Sequence, residues 1–437
     1  MKKTACVILA AGKGVRMKSD MPKALCELSG KAMVEFLIDT ALSCGIKSKD
    51  IIVVGGHKIK LLRKKLIPYN LRIVEQRRLL GSADAVRQAR GHLKNFNGAV
   101  LVLYADTPLI RVDTIKAMLK EHKAQKASLT LLTVTTDDPK DYGRIGRDEN
   151  GNICAIVEHT EILNPHPTSH TPHPTPHSPE PTAYEINVGA YCFDSKRLFE
   201  GLSQIKMNKI KKEFYLTDIV AYFYKKGYPI TSYITGYKEQ TLGINRRSDL
   251  IRAEGYLREW KITDLLNAGV TIKDPATTYI QQDVRIARDT VIYPFTVIEH
   301  DVIVGKRCRI GPFAHLRPGT VMKDGSEIGN FVEVVRSEIG TGSKAKHHTY
   351  LGDTIVGKNV NVGAGTITAN YDGKRKSRTI IDDGAFIGSS TTIVAPVKIG
   401  KKAVTGAGSV VVKGKDVPAN TVVVGVPARP LIKDKKS

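Results

Sequence analysis

From residue 286 onward an aliphatic side chain returns at every sixth position: Ile286, Ile292, Ile298, Val304, Ile310, Leu316, Met322, Ile328 and Val334. An amphipathic helix repeats every 3.6 residues and a simple strand every two, so neither accounts for this beat. A six-residue period predicts a parallel β-helix whose coils stack their aliphatic side chains in ladders. The beat slips near Gly340, returns at Val356 and Val362, and is clear again at Ile387, Ile393 and Ile399. Slips of this kind predict loops leaving the coil, and loops are where binding residues gather. The two slipped stretches, 342–353 and 361–373, are also the most polar of this half.

A chain of 437 residues exceeds what one hydrophobic core serves, so a separate domain is expected ahead of the coil. It opens on an apolar run, 5–9, that reads as a buried strand, followed by Gly12, Lys13, Gly14, Arg16 and, in a Pro-Lys pair, Lys23. Glycines allow a sharp turn that brings backbone N–H groups to an anion, and the three cations add mobile positive charge; a polyphosphate is the natural guest. The spacing is neither the dinucleotide fingerprint, since Met17 stands where a third glycine belongs, nor a Walker A loop. An ordinary strand-to-helix turn with solvated cations is the plain alternative. Further apolar runs, 51–55 and 99–104, alternate with helix-like segments, which predicts a parallel sheet covered on both faces and ligands at the carboxyl ends of its strands. Asp106 falls at such an end. A lone Asp after a strand is commonly a turn or cap residue, but opposite a phosphate loop it suits Mg²⁺, which binds through one or two carboxylates plus phosphates and water.

The formal charge of +24 points to anionic company, yet the basic residues are dispersed and lack an aromatic platform, which argues against nucleic acid. Six cysteines, Cys6, Cys26, Cys44, Cys154, Cys192 and Cys308, show no zinc or redox spacing, and free buried thiols in a reducing cytoplasm are the simplest account. The apolar start is too short for a signal peptide and is followed at once by cations, and no stretch is long enough to insert in a membrane; a cytoplasmic protein is expected.

The segment 9–23 resembles the signature of sugar-1-phosphate nucleotidylyltransferases. Over nearly the whole chain the sequence is similar to the bifunctional N-acetylglucosamine-1-phosphate uridylyltransferase/glucosamine-1-phosphate acetyltransferase family. The resemblance implies an α/β Rossmann-like nucleotidyltransferase domain, then an all-β left-handed parallel β-helix that packs as a homotrimer. It implies UTP and sugar-phosphate contacts at Leu9, Ala10, Ala11, Gly12, Lys13, Arg16, Lys23, Gln76, Gly81, Ser82, Tyr104, Ala105 and Asp106. Gly143, Glu158 and Asn187 match residues that hold the sugar, and Asn245 joins Asp106 as a ligand of Mg²⁺. In the second half His347 matches the general base, Glu333 its orienting carboxylate, Arg317 a phosphate clamp, and Tyr350 and Asn361 sugar-phosphate contacts. Ala364, Asn370, Tyr371, Ser389 and Ala407 match acetyl-CoA contacts. A histidine base with neutral donors nearby is chemically adequate for acetylating an amine, which must lose a proton while an oxyanion is held. The adjacent His348 is expected to be a spectator.

Departures from the family pattern are Asp84 where histidine is common, Ala105 where glycine is usual, Val335 in place of a phosphate-holding lysine, and Gly425 near a missing arginine. They leave open a rival reading: a single-function nucleotidylyltransferase whose β-helix is a noncatalytic assembly module. The expected domains are 1–246 for uridylyl transfer, a helical linker 247–270, the β-helix 271–430 and a basic tail 431–437. A segment rich in Pro and His, 164–182, reads as a polyproline-II-like surface loop rather than a metal site.

Overall fold

The computed structural model describes residues 3–140, 142–158, 183–208 and 211–431, so the Pro/His-rich segment 164–182 and nearly all of the basic tail lie outside the described residues. The chain divides into two compact units, Met1–Glu254 and Gly255–Ser437. The division falls inside the expected linker helix, which runs Arg247–Asn267.

Among the described residues, the main sheet of the first unit has nine strands: β1 Lys3–Ala10, β2 Ile51–Gly55, β3 Arg72–Glu75, β4 Gly98–Tyr104, β5 Leu129–Thr136, β6 Arg144–Arg147, β7 Ile153–Val157, β8 Tyr184–Asp194 and β9 Ile230–Ile234. They form one sheet in the order β9-β5-β8-β4-β1-β2-β3, with the β6–β7 hairpin attached to β8. Strand β1 is buried on both faces: Cys6, Ile8 and Ala10 pack into one core with helices Met33–Ser43 and Val112–Ala124, and Ala5, Val7 and Leu9 into another. The second core takes helices Ser82–Gln88, Ser195–Gln204 and Asp218–Lys225. Within this sheet β8 runs antiparallel to both β4 and β5. Strands β4, β1, β2 and β3 are mutually parallel.

The second unit is the coil that the six-residue beat predicts. Three sheets of ten, eight and seven short strands form its faces, and all but the last strand pair are parallel. The inward residues make continuous ladders, such as Ile298, Leu316, Val334 and Leu351 on one face, each with no more than trace exposure. At the start of the coil, Lys261 donates to the carbonyls of Gln282 and Val284 at 2.9 and 2.6 Å, while Ile262 and Leu265 enter the hydrophobic core.

The slips in the beat prove to be of two kinds. Ile339 follows Val334, and Val356 follows Leu351, after five positions instead of six, with the ladder unbroken across each short step. Those are tightened corners, not the loops that the sequence suggests. Of these slips, the one between Thr368 and Ile381 takes chain out of the coil. All three irregularities sit at one corner, where Arg336, Asp353 and Asn370 lie one above another. At a second corner the rings of Phe295, Phe313, Phe331 and His348 stack 4.8, 5.0 and 5.0 Å apart.

Candidate functional site

The ends of β1 and β4 build the first site. Leu9 pairs with Tyr104, and the Ala105 amide donates to the Leu9 carbonyl at 2.9 Å, so the glycine-rich loop and Asp106 leave adjacent parallel strands at their carboxyl ends. That is where an open α/β sheet offers a crevice. A cavity of about 660 Å³ opens there. Leu9, Ala10, Ala11, Gly12, Lys13, Arg16, Lys23, Gln76, Gly81, Ser82, Tyr104, Ala105, Asp106 and Asn245 all line it, so the nucleotide and metal residues expected from the sequence come together. Val15, Leu79 and Glu213 line it too and carry no signal that sequence reasoning detected.

One ammonium organises the floor of this cavity. Lys23 Nζ donates to Asp106 Oδ2 at 2.7 Å and to Asn245 Oδ1 at 2.8 Å, and Arg16 reaches the same Asn245 oxygen at 2.8 Å. Gly14 makes this possible: with φ at +63° it turns the loop back so closely that a Cβ there would stand 2.5 Å from Lys23 Cβ. Asp106 and Asn245 therefore present hard oxygen donors to one point where a cation already sits. Among the described residues no cluster of three His, Cys, Asp or Glu side chains could hold a metal ion. Two oxygen donors fit Mg²⁺, which keeps most of its waters, better than they fit a metal needing a full protein cage.

Farther along, Gln76 is buried and its Nε2 donates to the Gly81 carbonyl at 3.0 Å and to Asp84 at 2.8 Å. The departure at Asp84 thus has a use: it fixes the Gln76 carboxamide through Nε2. Gly81, φ +95°, lies against the Phe214 backbone, where a Cβ would meet the carbonyl oxygen at 2.5 Å. Ala105, the other departure in this half, is buried without strain.

Gly143, Glu158 and Asn187 gather in a second group. The Asn187 amide donates to the Gly143 carbonyl at 2.8 Å, and Thr217 donates to Glu158 at 3.2 Å. A break in register between Asn187 and Tyr191, with Gly189 at φ +84°, lets Asn187 Nδ2 donate to the Tyr191 hydroxyl at 2.7 Å. The Tyr191 ring meets that of Tyr104 edge-on, centroids 6.2 Å apart, and burial raises both phenol pKa values. Tyr191 thus links Asn187 to the cavity-lining Tyr104, and it is a neighbour that sequence reasoning missed.

In the β-helix, parallel register lines up one edge. Asn330 and His347 are ladder partners, and successive backbone bonds, Gly365 N to His347 O, Ser390 N to Ala364 O and Gly408 N to Ser389 O, carry the column upward. His347, Ala364, Ser389 and Ala407 thus stand one above the other, the last three with small side chains that leave room along the edge. Around the corner, Tyr350 lies over Glu333, and Arg317 Nη1 donates to Glu333 Oε1 at 2.7 Å. Asn361 is exposed, paired between Lys344 and Phe386. The exposed Tyr371 hydroxyl donates to the Gly373 carbonyl at 2.6 Å.

Glu333 sits on the next face from His347, where it meets Arg317, and Nδ1 of His347 lies 2.8 Å from Asn330 Oδ1. Asn370 is buried, its amide donating to Asp353, which Arg336 also grips with Nε at 2.7 Å and Nη2 at 2.8 Å. Those bonds hold the Asp353 carboxyl below its usual value, the Arg336 contact first. Val335, where a lysine was expected, is buried beside Gly352.

Comparisons with known proteins agree with this division. Residues 6–206 match the MobA-like NTP transferase domain, 283–317 the bacterial transferase hexapeptide (six repeats), and 378–413 the hexapeptide repeat of succinyl-transferase. The Bifunctional protein GlmU of Geobacillus sp. (strain WCH70) is 41% identical over 97% of this chain and 95% of its own length. Its counterpart in Thermotoga maritima is 42% identical, covering 98% and 97%, and that of Heliobacterium modesticaldum 39%, covering 97% and 96%. These matches cover nearly all of both units, and this chain belongs to the GlmU family of bifunctional proteins.

Proposed function

We propose that the chain catalyses two successive steps of UDP-N-acetylglucosamine synthesis. The β-helix acetylates glucosamine-1-phosphate from acetyl-CoA, and the first unit then joins the product to UTP with release of pyrophosphate. What carries the first half of this reading is the convergence of the glycine-rich loop, Lys23, Asp106 and Asn245 on one cavity.

In uridylyl transfer the sugar phosphate oxygen attacks the α-phosphorus of UTP and the bond to the departing pyrophosphate breaks. Lys13, Arg16 and Lys23 offset the charge that builds on the transferring group, and the loop amides hold the triphosphate in line. Gln76, Gly81 and Ser82 address the uracil, while Gly143, Glu158 and Asn187 hold the sugar. Asp106 and Asn245 would hold Mg²⁺, which supplies further charge neutralisation at the phosphates when bound.

In acetyl transfer His347 Nε2 takes a proton from the amine of glucosamine-1-phosphate, the nitrogen attacks the thioester carbonyl, the C–S bond breaks, and the proton passes to the leaving thiolate. Arg317, Tyr350 and Asn361 face the sugar phosphate, and acetyl-CoA lies along the edge of Ala364, Ser389 and Ala407, past Asn370 and Tyr371. The protein works in the cytoplasm as a homotrimer formed through the β-helix. The described residues contain no helix long and apolar enough to cross a membrane.

The apolar, buried Val335 favours the rival in which the β-helix only assembles the protein. Thiol release from acetyl-CoA with glucosamine-1-phosphate, measured beside pyrophosphate release from UTP with N-acetylglucosamine-1-phosphate, tests both steps. Turnover in both supports the proposal, and pyrophosphate release alone would favour the rival.

A further inference from the structure

Two histidines stand side by side in this chain, and the coil beneath them sorts their roles. His348 turns the corner at φ +44° and its ring stacks on Phe331, centroids 5.0 Å apart and planes within 20°, as the upper end of the aromatic ladder. His347 closes strand Lys344–His347 directly over Asn330, with its ring on the exposed side of the edge. Its Nδ1 lies 2.8 Å from Asn330 Oδ1. A carboxamide oxygen can only accept, so Nδ1 carries the hydrogen and Nε2 keeps its lone pair.

We propose that Asn330 is the positioning residue of acetyl transfer: its Oδ1 fixes His347 in the Nδ1–H tautomer and aims Nε2 at the amine. The inference rests on reading His347 as the base. It assigns to a neutral amide the orienting task that a carboxylate performs in many base pairs, since the nearby Glu333 is engaged by Arg317. A neutral partner fixes the tautomer while favouring the imidazolium less than a carboxylate would.

The charged and titratable groups on the coils around His347 are largely paired with one another. Below it, Glu327 faces Lys346 at 3.5 Å and Glu333 faces Arg317 at 2.7 Å. On its own coil stand Lys344, Lys346, His348 and Tyr350, and on the coil above Lys358 precedes the neutral Asn361. A carboxylate placed at position 330 would therefore be the new charge nearest the ring.

The test uses the full-length protein with Asn330→Ala and Asn330→Asp, following both half-reactions across pH. Asn330→Ala should lower kcat for acetyl transfer roughly a hundredfold, with KM for acetyl-CoA and glucosamine-1-phosphate little changed. Uridylyl transfer in the same preparation should stay at the parent rate, which reports that the chain is folded. Asn330→Asp keeps an acceptor over Nδ1, so turnover should largely return, while the acidic limb of kcat/KM moves upward by about one pH unit because the carboxylate stabilises the imidazolium. An Asn330→Ala protein within threefold of the parent, or an Asn330→Asp profile with an unmoved limb, would overturn the inference. His347→Ala run in parallel separates the two levels. Acetyl transfer surviving that change would remove the base and the positioning role together, whereas its loss with an indifferent Asn330 would remove the positioning role alone.

Discussion

Replacing Gly14 by alanine tests whether loop geometry governs the first site. At φ +63° an alanine enters the left-handed region, at a cost of about 1–2 kcal/mol. The added methyl would lie 2.5 Å from Lys23 Cβ and 3.4 Å from its Cα. Carbon atoms rest about 3.5–4.0 Å apart, so the base of the Lys23 side chain must retreat by about 1 Å. Its ammonium bonds to Asp106 and Asn245 at 2.7 and 2.8 Å, and a shift of that size takes both beyond hydrogen-bonding distance. Misplacement on that scale costs on the order of a hundredfold in rate. Pyrophosphate release from UTP by Gly14→Ala should fall accordingly, while thiol release from acetyl-CoA in the same preparation holds at the parent value. Gly12→Ala is the contrast, because nothing lies within 4 Å of its Cβ: it should leave stability intact and act only where the added methyl meets bound nucleotide. Uridylyl transfer by Gly14→Ala within threefold of the parent would refute the reasoning.

Other consequences are equally direct. Tyr191→Phe removes the hydroxyl that accepts from Asn187 at 2.7 Å, and an unpaired amide worth about 1–2 kcal/mol should raise KM for the sugar phosphate about 5- to 30-fold with little change for UTP; steady-state kinetics with each substrate varied would reveal it. Burial pushes the Cys44 thiol up to about 11 and those of Cys6 and Cys192 higher, so native-state alkylation at pH 8 should run on the order of a hundredfold slower at these thiols than with free cysteine and spare both activities. Arg336 holds the Asp353 carboxyl below its ordinary value, so the pair's contribution is complete above the unfolded-state carboxyl pKa and lost as pH falls through the depressed one. The difference in thermal midpoint between parent and Asp353→Asn should hence be constant from pH 8 to about 5 and shrink below about 4. Leu316→Ala, fully buried in the coil, should cost about 2–5 kcal/mol in denaturant unfolding of the β-helix.

The parts of this molecule that repeat were legible before folding, and the parts that depend on register were not. Ile286 to Val334 announce the coil because every inward position must be aliphatic, whichever coil it occupies. The five-residue steps to Ile339 and Val356 look in sequence like the seven-residue detour before Ile381, since both merely break a count. Only the pairing shows that two tighten a corner and one leaves it. Likewise the glycine loop, Lys23 and Asp106 carry their chemistry in their residue types and in strands that end beside each other. Antiparallel β8 was hidden because its buried, apolar residues suit either direction, and its bulge at Gly189 gives no compositional sign. Tyr191, Glu213 and Asn330 acquire their places through contacts distant in sequence, and a lone tyrosine, glutamate or asparagine reads as ordinary packing or surface. Asn330 lies beside His347 because it is the residue underneath on the same face, a matter of register.

The central claim is that one chain carries two chemically independent sites, one made by Lys23, Asp106 and Asn245 and the other by His347. Measuring both half-reactions on Asp106→Ala and His347→Ala, each purified as the full-length protein, tests it most directly. The account predicts reciprocal outcomes: Asp106→Ala loses pyrophosphate release and keeps thiol release, and His347→Ala does the opposite. Either substitution abolishing both reactions in a folded protein, or His347→Ala leaving acetyl transfer untouched, would contradict it.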